Sequence, residues 1–543
     1  MKGYSILLVA LALTACATAP KAKVMQTSAS GDKYRQVSAV SFKPVAQPVG
    51  LTIYADQPRQ TIDGFGGSLT ESSAFVLACI PAKDRQAILE ELFSERGANF
   101  SMVRTQIGAS DFSVEGLYSL CEKEGDTALE TFSLDRDKEG FSKDRYPYIQ
   151  DEHYDLYHLM KEVAAIKAAQ KDPTYRIFAN TWTAPAWMKD NGKYYERHGA
   201  YGRGGALLSQ YYQTYADYLI KYIEAYKAEG IDIWAVSPVN EPMGNDGGWE
   251  SMDFWPAVEA EFIGKNLGPS LKAKNLDVQI FGFDQNIFEM PPYTAAIYGD
   301  EKSREYTDGM AIHWYGSTVS CFPEVLDSIH NAYPDKRILH TEGCVDNLGL
   351  PAWGDVIQDP EGFKECCWFE NDEFWWTKSA TDWAYSTPWW PEWHPKYSPV
   401  HRYAQYILDG LNHWMTGYID WNIVLDSLGG PNHVGNYAAA PVMIDYQGDK
   451  PRIYFTPYYY VLKHFSRSMR PGDIVLTMDQ PEDSTLSICA VQKADGTIVV
   501  NVINTAEEAR TIDLTLSGLR DKGDLYSAQV KLPANSLQTL CIR

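Results

Sequence analysis

The sequence predicts a (β/α)8 barrel with an all-β side domain, and three observations support this prediction. The chain has 543 residues, enough for a barrel of roughly 250 residues and a second module. Strand-like apolar runs alternate with helical stretches through the middle of the chain, which indicates a parallel sheet. Short alternating runs separated by turn residues fill the C-terminal part, which is typical of an all-β module.

The barrel prediction depends on eight candidate strands, which can be counted along the chain. They lie at 61–65, 101–107, 176–182, 233–238, 279–283, 309–314, 337–341 and 417–421. Amphipathic stretches lie between several of them, for example at 208–228. Eight parallel strands with intervening helices close as a barrel, whose active site lies at the C-terminal ends of the strands.

The side domain is predicted from β patterns at both ends of the chain. Val40 and Phe42 alternate with Ser41, and strand-like runs follow at 474–476, 486–491, 498–502 and 512–516. We therefore expect residues 38–60 and 455–543 to form a β-sandwich and residues 61–454 to form the barrel.

The N-terminus has the pattern of a targeting segment. Lys2 precedes an apolar run at 4–13, which is shorter than the ~20 residues that a membrane-spanning helix needs. The run ends in Leu-Thr-Ala-Cys at 13–16, which resembles a bacterial lipobox. That resemblance implies a lipoprotein signal peptide over 1–15 and a lipid on Cys16. An ordinary signal peptide followed by a chance cysteine is the alternative.

Residues 16–37 are small, polar and basic, and they predict a flexible tether between the lipid and the folded body. The expected location is the bacterial cell envelope, on the periplasmic or extracellular side, and the outer membrane in a Gram-negative host.

Charge and composition restrict the partners. The 48 basic and 71 acidic residues give a net charge of −23, which disfavours nucleic acid and anionic lipid surfaces, so membrane contact is expected only through the lipid anchor. The 16 tryptophans suit stacking on sugars, although an aromatic-rich core gives the same composition. No His-Glu-x-x-His or clustered Cys/His motif occurs, so we predict neither a metal nor a cofactor. The oligomeric state stays open.

Two glutamates follow strands on opposite sides of the predicted barrel. Glu241 comes just after the fourth candidate strand, and Glu342 comes just after the seventh. They would face each other across the barrel mouth. Hydrolysis of a glycosidic bond needs one protonated and one ionised carboxyl group, about 5–5.5 Å apart when the anomeric configuration is retained. The sequence therefore predicts a pair of catalytic glutamates.

An ordered series of motifs resembles one enzyme family. NEP at 240–242, with a second glutamate three strands later, resembles the large clan of retaining barrel glycosidases. The closer match comes from DGFGGSLTE at 63–71, RTQIGASDFS at 104–113, TWTAPAWMK at 181–189, IHWY at 312–315 and the stretch from DWN to PVMID at 420–445. Together they resemble glycoside hydrolase family 30, in its glucosylceramidase and β-1,6-glucanase branch. The resemblance covers roughly residues 50–543, and the ordered set is far more specific than any single motif.

The resemblance implies roles by position. Glu241 would be the acid/base and Glu342 the nucleophile, with Asn240 holding the sugar 2-hydroxyl. Arg104 would orient or charge-pair with a catalytic carboxylate. The remaining implied residues are Trp182, Trp421, Glu71 and Asn436 as lining of the −1 sugar pocket, and Tyr315 and His313 near the nucleophile.

Glu71 departs from the family pattern, which usually has aspartate there. The added methylene moves the carboxylate outward by ~1.3–1.5 Å, which leaves the identity of the −1 sugar open.

The expected activity is retaining hydrolysis of β-linked glucosides, such as β-1,6-glucan, with glucosylceramide as a further candidate. The alternatives are another β-glycosidase of the same family, of the xylosidase, fucosidase or galactosidase type, and a non-catalytic carbohydrate-binding lipoprotein. Residues 366–393 hold seven tryptophans, including Trp389 and Trp390, on the catalytic face. They would wall the substrate cleft, or alternatively form a self-packed mini-core or a subunit contact.

Overall fold

The computed structural model describes residues 19–196, 204–245, 248–345, 368–378, 380, 394–521 and 523–543. The predicted signal peptide, Cys16, Trp389 and Trp390 lie outside the described residues. Within these ranges, the structure contains no helix with the length and apolar character that crossing a bilayer requires.

The strands of the structure fall into four groups. The N-terminal strands are β1 (Lys21–Ser28), β2 (Arg35–Ser41), β3 (Lys43–Pro44) and β4 (Leu51–Thr61). The barrel strands are β5 (Gly64–Leu69), β6 (Met102–Gln106), β7 (Arg176–Asn180), β8 (Ala235–Ser237), β9 (Gln279–Asn286), β10 (Thr307–His313), β11 (Arg337–Glu342) and β12 (Met415–Asp420). A small sheet comprises β13 (Val424–Asp426), β14 (Val442–Asp445) and β15 (Arg452–Phe455). The C-terminal strands are β16 (Ile474–Met478), β17 (Leu486–Gln492), β18 (Ile498–Asn504), β19 (Arg510–Ser517), β20 (Leu525–Leu532) and β21 (Ser536–Ile542).

The helices surround the barrel. They are α1 (Glu71–Ala78), α2 (Ala82–Phe93), α3 (Asp135–Lys138), α4 (Leu156–Ala169), α5 (Tyr212–Ala228), α6 (Pro256–Phe262), α7 (Gly268–Ala273), α8 (Met290–Gly299), α9 (Glu301–Tyr306), α10 (Pro323–Ala332), α11 (Asp372–Trp376), α12 (Pro399–Asn412) and α13 (Pro457–Ser468). A π-helical turn at Ile263–Leu267 joins α6 to α7.

The eight parallel strands β5–β12 close into a barrel, which confirms the predicted fold class. The first barrel strand begins at Gly64, later than predicted, because residues 51–61 form β4, which pairs with β16 and β19 in the side domain. A side chain at Gly66 would place its Cβ 1.8 Å from the backbone oxygen of Met102, so the close approach of β5 to β6 requires glycine there.

The side domain is built from both ends of the chain. Its ten-stranded sheet has the order β2-β1-β21-β18-β17-β16-β4-β19-β20-β3. The far strands come together again, since Gln538 Nε2 on β21 donates to the backbone oxygen of Lys531 on β20 at 3.0 Å. An apolar core that includes Ile53, Val500 and Leu540 fills the interior, as a β-sandwich requires.

The tether prediction over 16–37 is wrong from Lys21 onward, because this segment supplies two strands of the sandwich. In β1, Lys21 and Lys23 are exposed while Ala22 and Val24 are buried, so the strand is amphipathic despite its basic composition. It pairs with β21 from the other end of the chain, a partner that the local sequence does not reveal.

The predicted boundary at residue 455 is also too early. Helix α13 follows it and packs on the barrel, with the ring of Phe465 lying 5.8 Å from that of Phe65 on β5. The C-terminal part of the sandwich therefore begins at β16.

Candidate active site

The two predicted carboxylates meet at the mouth of the barrel. Glu342 is the last residue of β11, and Glu241 lies beyond β8 with a backbone φ of 50°. One carboxylate oxygen of each, together with a ring nitrogen of His313, lie within 4.8 Å of one another. The side chains of Glu241 and Glu342 are 15% and 8% exposed, so both reach the cavity while being largely shielded from water.

Glu342 is held at both oxygens. Arg104 Nη1 donates to Oε2 at 2.5 Å, and the Tyr315 hydroxyl donates to Oε1 at 3.0 Å. Charge-assisted hydrogen bonds of this kind fix the orientation of the carboxylate. This arrangement suits a nucleophile.

Arg104 donates hydrogen bonds to residues at or beyond the ends of both strands that lead to the catalytic glutamates. Its Nη2 donates to Asn240 Oδ1 at 2.6 Å and to Asp284 Oδ2 at 3.0 Å. Burial lowers the pKa of Arg104, but the charges of Asp284 and Glu342 more than offset it and raise the pKa above the usual value. The guanidinium therefore stays charged although it is completely buried.

Asp284, which the sequence analysis did not single out, forms the base of this network. It also accepts from Asn180 Nδ2 at 2.8 Å, Thr341 Oγ1 at 2.5 Å and His313 Nε2 at 3.0 Å. Burial raises the pKa of Asp284, but Arg104 and His313 outweigh it and hold the pKa below its usual range. A polar Asp-Gln-Asn run after the apolar part of β9 was the available signal.

Glu241 lies in a different electrostatic environment. Its Oε1 is 3.4 Å from His313 Nδ1. Burial raises the pKa of Glu241, His313 offsets part of that rise, and the negative charge of Glu342 raises it further. Burial lowers the pKa of His313, but Glu342 and Asp284 more than compensate and raise it to about 10.

The carboxylates open into a cavity of about 270 Å³. The indoles of Trp182 and Trp421 are stacked 5.1 Å apart on one side. The predicted site residues that line the cavity are Trp182, Asn240, Glu241, Tyr315, Glu342, Trp421 and Asn436. Arg104 and His313 are completely buried and contact the glutamates. Lining residues that sequence reasoning missed include Asp111, Asn245, Trp249, Gln285, Asn286 and Cys344.

Glu71 is the predicted pocket residue that does not line the cavity, so its expected placement is wrong. It is the first residue of α1, and its Oε2 accepts from the backbone nitrogen of Val114 at 2.6 Å. Its longer side chain turns to the loop that follows β6, and burial raises its pKa to about 7. The carboxylate that lines the cavity nearby is Asp111, which lay within the DFS end of a recognised motif.

The described part of the tryptophan-rich segment forms a small core. Trp368 and Trp375 are buried with their rings parallel and 6.0 Å apart, and Trp375 also packs on Tyr458. These contacts favour the self-packed alternative for residues 368–378. The expectation that Trp389 and Trp390 wall the cleft stays a prediction.

Glu241, His313 and Glu342 are spaced closely enough to ligate a metal ion. A protonated His313 lacks the lone pair that a metal needs, and Arg104 already neutralises Glu342. The chemistry of this donor set therefore fits acid–base and nucleophilic roles better than metal binding.

Comparisons with known proteins agree with this geometry. The model of the glycosyl hydrolase family 30 TIM-barrel domain matches residues 62–354 and 393–469, and that of the family 30 β-sandwich domain matches 473–540. The lysosomal acid glucosylceramidase of Mus musculus is 26% identical over 93% of this chain and 85% of its own length. The endo-1,6-β-D-glucanase of Neurospora crassa is 26% identical over 82% of this chain and 79% of its own.

Two solved structures resemble the whole fold. SrfJ from Salmonella typhimurium has a TM-score of 0.75 and 25% identity, covering 96% of this chain and 99% of that one. The endo-β1,6-glucanase BT3312 has a TM-score of 0.70 and 28% identity over the same shares of the two chains.

Proposed function

Because this chain belongs to glycosyl hydrolase family 30 and is a glycoside hydrolase, we propose that it cleaves β-glucosides by double displacement, with Glu342 as nucleophile and Glu241 as acid/base. The observation that carries this proposal is the approach of one oxygen of each glutamate within 4.8 Å of the other. An approach this close favours the spacing of retaining enzymes, whose carboxyl groups lie roughly 5–5.5 Å apart, over that of inverting enzymes, which need about 6.5–9.5 Å to admit a water.

In the first step Glu342 attacks the anomeric carbon while Glu241 gives its proton to the leaving oxygen. The raised pKa of Glu241 keeps that proton available, and the bonds from Arg104 and Tyr315 hold the Glu342 carboxylate in a fixed orientation. The products are a covalent glycosyl–enzyme and the free aglycone. Arg104 fixes the Asn240 amide through its oxygen, so its nitrogen can meet the sugar 2-hydroxyl.

In the second step Glu241, now ionised, takes a proton from water. The resulting hydroxide attacks the anomeric carbon from the face that the aglycone left, and Glu342 departs as a carboxylate. Two inversions at the same carbon give net retention.

The proposed substrates are β-1,6-linked glucan and related β-glucosides, with glucosylceramide as the next candidate. Relatives named for both activities support this proposal. One is named a glucosylceramidase and two are named endo-1,6-β-glucanases, and their sequence identities to this chain are similar.

Rescue by azide tests both roles in one experiment. We expect Glu241→Ala with a dinitrophenyl β-glucoside to be accelerated by azide and to yield the β-glucosyl azide, because the anion replaces water on the second step. Glu342→Ala should give the α-azide by a single displacement. Glu259→Gln changes a buried carboxyl group outside the cavity and is the matched control, in which azide should have no effect.

Two outcomes would contradict the proposal. A β-azide from Glu342→Ala would exchange the two roles. Failure of the wild-type enzyme on β-glucosides, with turnover of β-xylosides, fucosides or galactosides, would change the −1 sugar and leave the mechanism in place.

We also propose attachment to the cell envelope through a lipid on Cys16, supported by the lipobox-like Leu-Thr-Ala-Cys at 13–16. Residues 17–20 alone separate Cys16 from β1, a span of at most roughly 18 Å, so the sandwich would lie close to the membrane. In a bacterial host, Cys16→Ser should move the enzyme from the detergent phase to the aqueous phase. Unchanged partitioning would contradict the anchor.

A further inference from the structure

His433 and Glu250 form a buried pair beside the catalytic cavity. Nε2 of His433 lies 3.1 Å from Oε2 of Glu250, whose side chain is completely buried. The other ring nitrogen, Nδ1, lies 2.8 Å from the backbone oxygen of Ser113. Oε1 of Glu250 accepts a hydrogen bond from the backbone nitrogen of Leu117 at 2.6 Å. Each ring nitrogen and each carboxylate oxygen of the pair therefore has a partner.

The pair joins three loops that contribute to the cavity wall. His433 lies between β13 and β14, Glu250 lies between β8 and α6, and both of their backbone partners lie between β6 and α3. The same three loops supply cavity-lining residues, which include Asn436, Trp249 and Phe112. Each of these is close in sequence to the pair or to one of its partners. The pair therefore sets the positions of three parts of the wall relative to one another.

The His433 ring fits against a glycine in the loop after β6. A Cβ on Gly116 would lie 2.2 Å from the ring carbon Cδ2, and the backbone φ of +65° there also favours glycine. The backbone nitrogen of His433 donates to the same oxygen of Ser113 that the ring faces, at 3.1 Å. Backbone and ring are thus both held against this loop.

The contacts of the pair depend on one proton. The backbone oxygen of Ser113 only accepts, so Nδ1 must carry a hydrogen to bond with it. A further proton must lie between Nε2 of His433 and Oε2 of Glu250, on the ring or on the carboxyl group. Once that proton is lost, the neutral ring has one hydrogen for two acceptors, and one of the two contacts breaks.

The surroundings of the pair favour the protonated form. Burial lowers the pKa of His433, but the hydrogen bond and charge of Glu250, the oxygen of Ser113 and the charge of Asp111 outweigh it and raise the pKa. A histidine of this kind contributes stability below the unfolded-chain pKa of about 6.5, and the contribution is lost as pH rises through the higher folded-state pKa. The three loops should therefore be held together at acidic pH and released at alkaline pH.

We propose that His433 and Glu250 form a proton-dependent clamp that positions the three loops around the catalytic cavity. They are positioning residues, since they act on the substrate through the lining residues of those loops. Displacement of a substrate-binding group by about 1 Å can cost on the order of 10²-fold in rate. Deprotonation of the pair should therefore lower kcat/KM in addition to the titration of Glu241 and Glu342.

Glu250→Gln tests the clamp because it keeps the contacts and removes their dependence on the proton. The amide nitrogen can donate to the lone pair of a neutral His433, while the amide oxygen still accepts from Leu117. The measurement is kcat/KM for an aryl β-glucoside between pH 6 and pH 9. We expect the ratio of the variant to the wild-type value to be near one at pH 6 and to rise to about tenfold at pH 9.

His433→Ala removes the clamp and controls for the other titrating groups that interact with Glu250. These include Lys189, whose pKa burial lowers to about 7, together with Tyr194 and Asp111. Loss of the Glu250 charge makes Lys189 release its proton at lower pH, which opposes the predicted rise. His433→Ala should lower kcat/KM by about tenfold at pH 6. Glu250→Gln added to His433→Ala should give a ratio that does not rise with pH.

Two results would overturn the inference. A ratio that stays constant from pH 6 to pH 9 would show that no titrating proton holds the loops. An unchanged kcat/KM in His433→Ala at pH 6 would show that the pair does not position the cavity.

The inference rests on the proposed function for its kinetic measurement, and melting temperatures test it independently. Glu250→Gln should lose less thermal stability than the wild type between pH 6 and pH 9, and equal losses would overturn the clamp. Absence of wild-type turnover on β-glucosides would contradict the proposed function alone, because the melting temperatures need no substrate.

Discussion

Two layers of the same barrel differ sharply in chemistry. The lower layer is an apolar cluster that includes Met102, Phe178 and Leu339. Two residues further along the same strands stand Arg104, Asn180 and Thr341, which belong to the buried polar network around Asp284. Side chains two residues apart point to the same face of a strand, so both layers face the barrel axis.

The two layers therefore have different roles. The lower layer contributes mainly to stability, and the upper layer carries the catalytic groups. The lower layer is stabilised by apolar burial, whereas the upper layer holds Arg104 and several carboxyl groups out of water and depends on the hydrogen bonds between them. Changes in the lower layer should therefore affect unfolding, and changes in the upper layer should affect the reaction.

The largest effect is expected from Glu342→Gln in the upper layer. Loss of the attacking carboxylate should lower kcat by about 10⁵- to 10⁶-fold, comparable to loss of a covalent nucleophile in other enzymes. The measurement is steady-state hydrolysis of an aryl β-glucoside. A decrease of less than tenfold would mean that another group attacks the sugar.

Arg104→Met should be next in size, and it affects both properties. Removing the cation leaves Asp284 and Glu342 buried with His313 as their remaining positive neighbour, which should cost about 3–5 kcal/mol of unfolding free energy and nearly all activity. Denaturant unfolding and kcat measure the two effects. Arg104→Lys keeps the charge but cannot reach three acceptors, so it should recover stability more than activity. Equal recovery of stability and activity would contradict the different roles assigned to the two layers.

Leu339→Ala is the matched change in the lower layer. The cavity it creates should cost about 2–5 kcal/mol of unfolding free energy. Because Leu339 lies in the layer below the catalytic groups, kcat and its pH profile should be unchanged below the melting transition. A shifted pH profile would show that the two layers are not independent.

The boundary between the two layers includes an irregular backbone in strand β9. The sequence does not predict this irregularity. Phe281 lies in the lower layer, so regular alternation would place Phe283 above it. Phe283 and Asp284 instead have φ values of 77° and 59°, and the pairing register with β10 shifts there. Asp284 then takes the inward position, while Phe283 packs against Tyr293. Apolar runs predicted all eight strands, but they carry no sign of this shift.

The same limit explains the other differences. Glu241 and Glu342 were predictable because each lies at or shortly after the end of an apolar strand. Whether Glu71 or Asp111 lines the cavity depends on the direction in which each side chain points. The pairing of β1 with β21 depends on a contact between the two ends of the chain. Neither leaves a local pattern.

The last expected effect is seen only as a change of stability with pH, and it concerns Glu259, which supports the irregular end of β9. Its Oε1 accepts from the backbone nitrogen of Phe283 at 2.8 Å, and burial raises its pKa to about 8. The folded protein therefore binds a proton that the unfolded chain releases above about pH 4.5, so this group lowers stability as pH rises toward 8, by at most roughly 1.4 kcal/mol per pH unit.

Glu259→Gln should remove that dependence, and unfolding free energies at pH 5 and pH 8 would measure it. The variant should lose less stability than the wild type between the two pH values. An identical slope in both proteins would mean that Glu259 is not the group that titrates.

Covalent trapping with a 2-deoxy-2-fluoro-β-glucoside bearing a good leaving group tests the central claim most directly. The fluorine slows both the formation and the hydrolysis of the glycosyl–enzyme, and the good leaving group restores the rate of its formation. A retaining enzyme therefore accumulates the glycosyl–enzyme. We predict that the protein gains the mass of one fluorosugar and that peptide mapping places it on Glu342. Hydrolysis of the parent glucoside without any trapped adduct, or an adduct on another residue, would contradict the account.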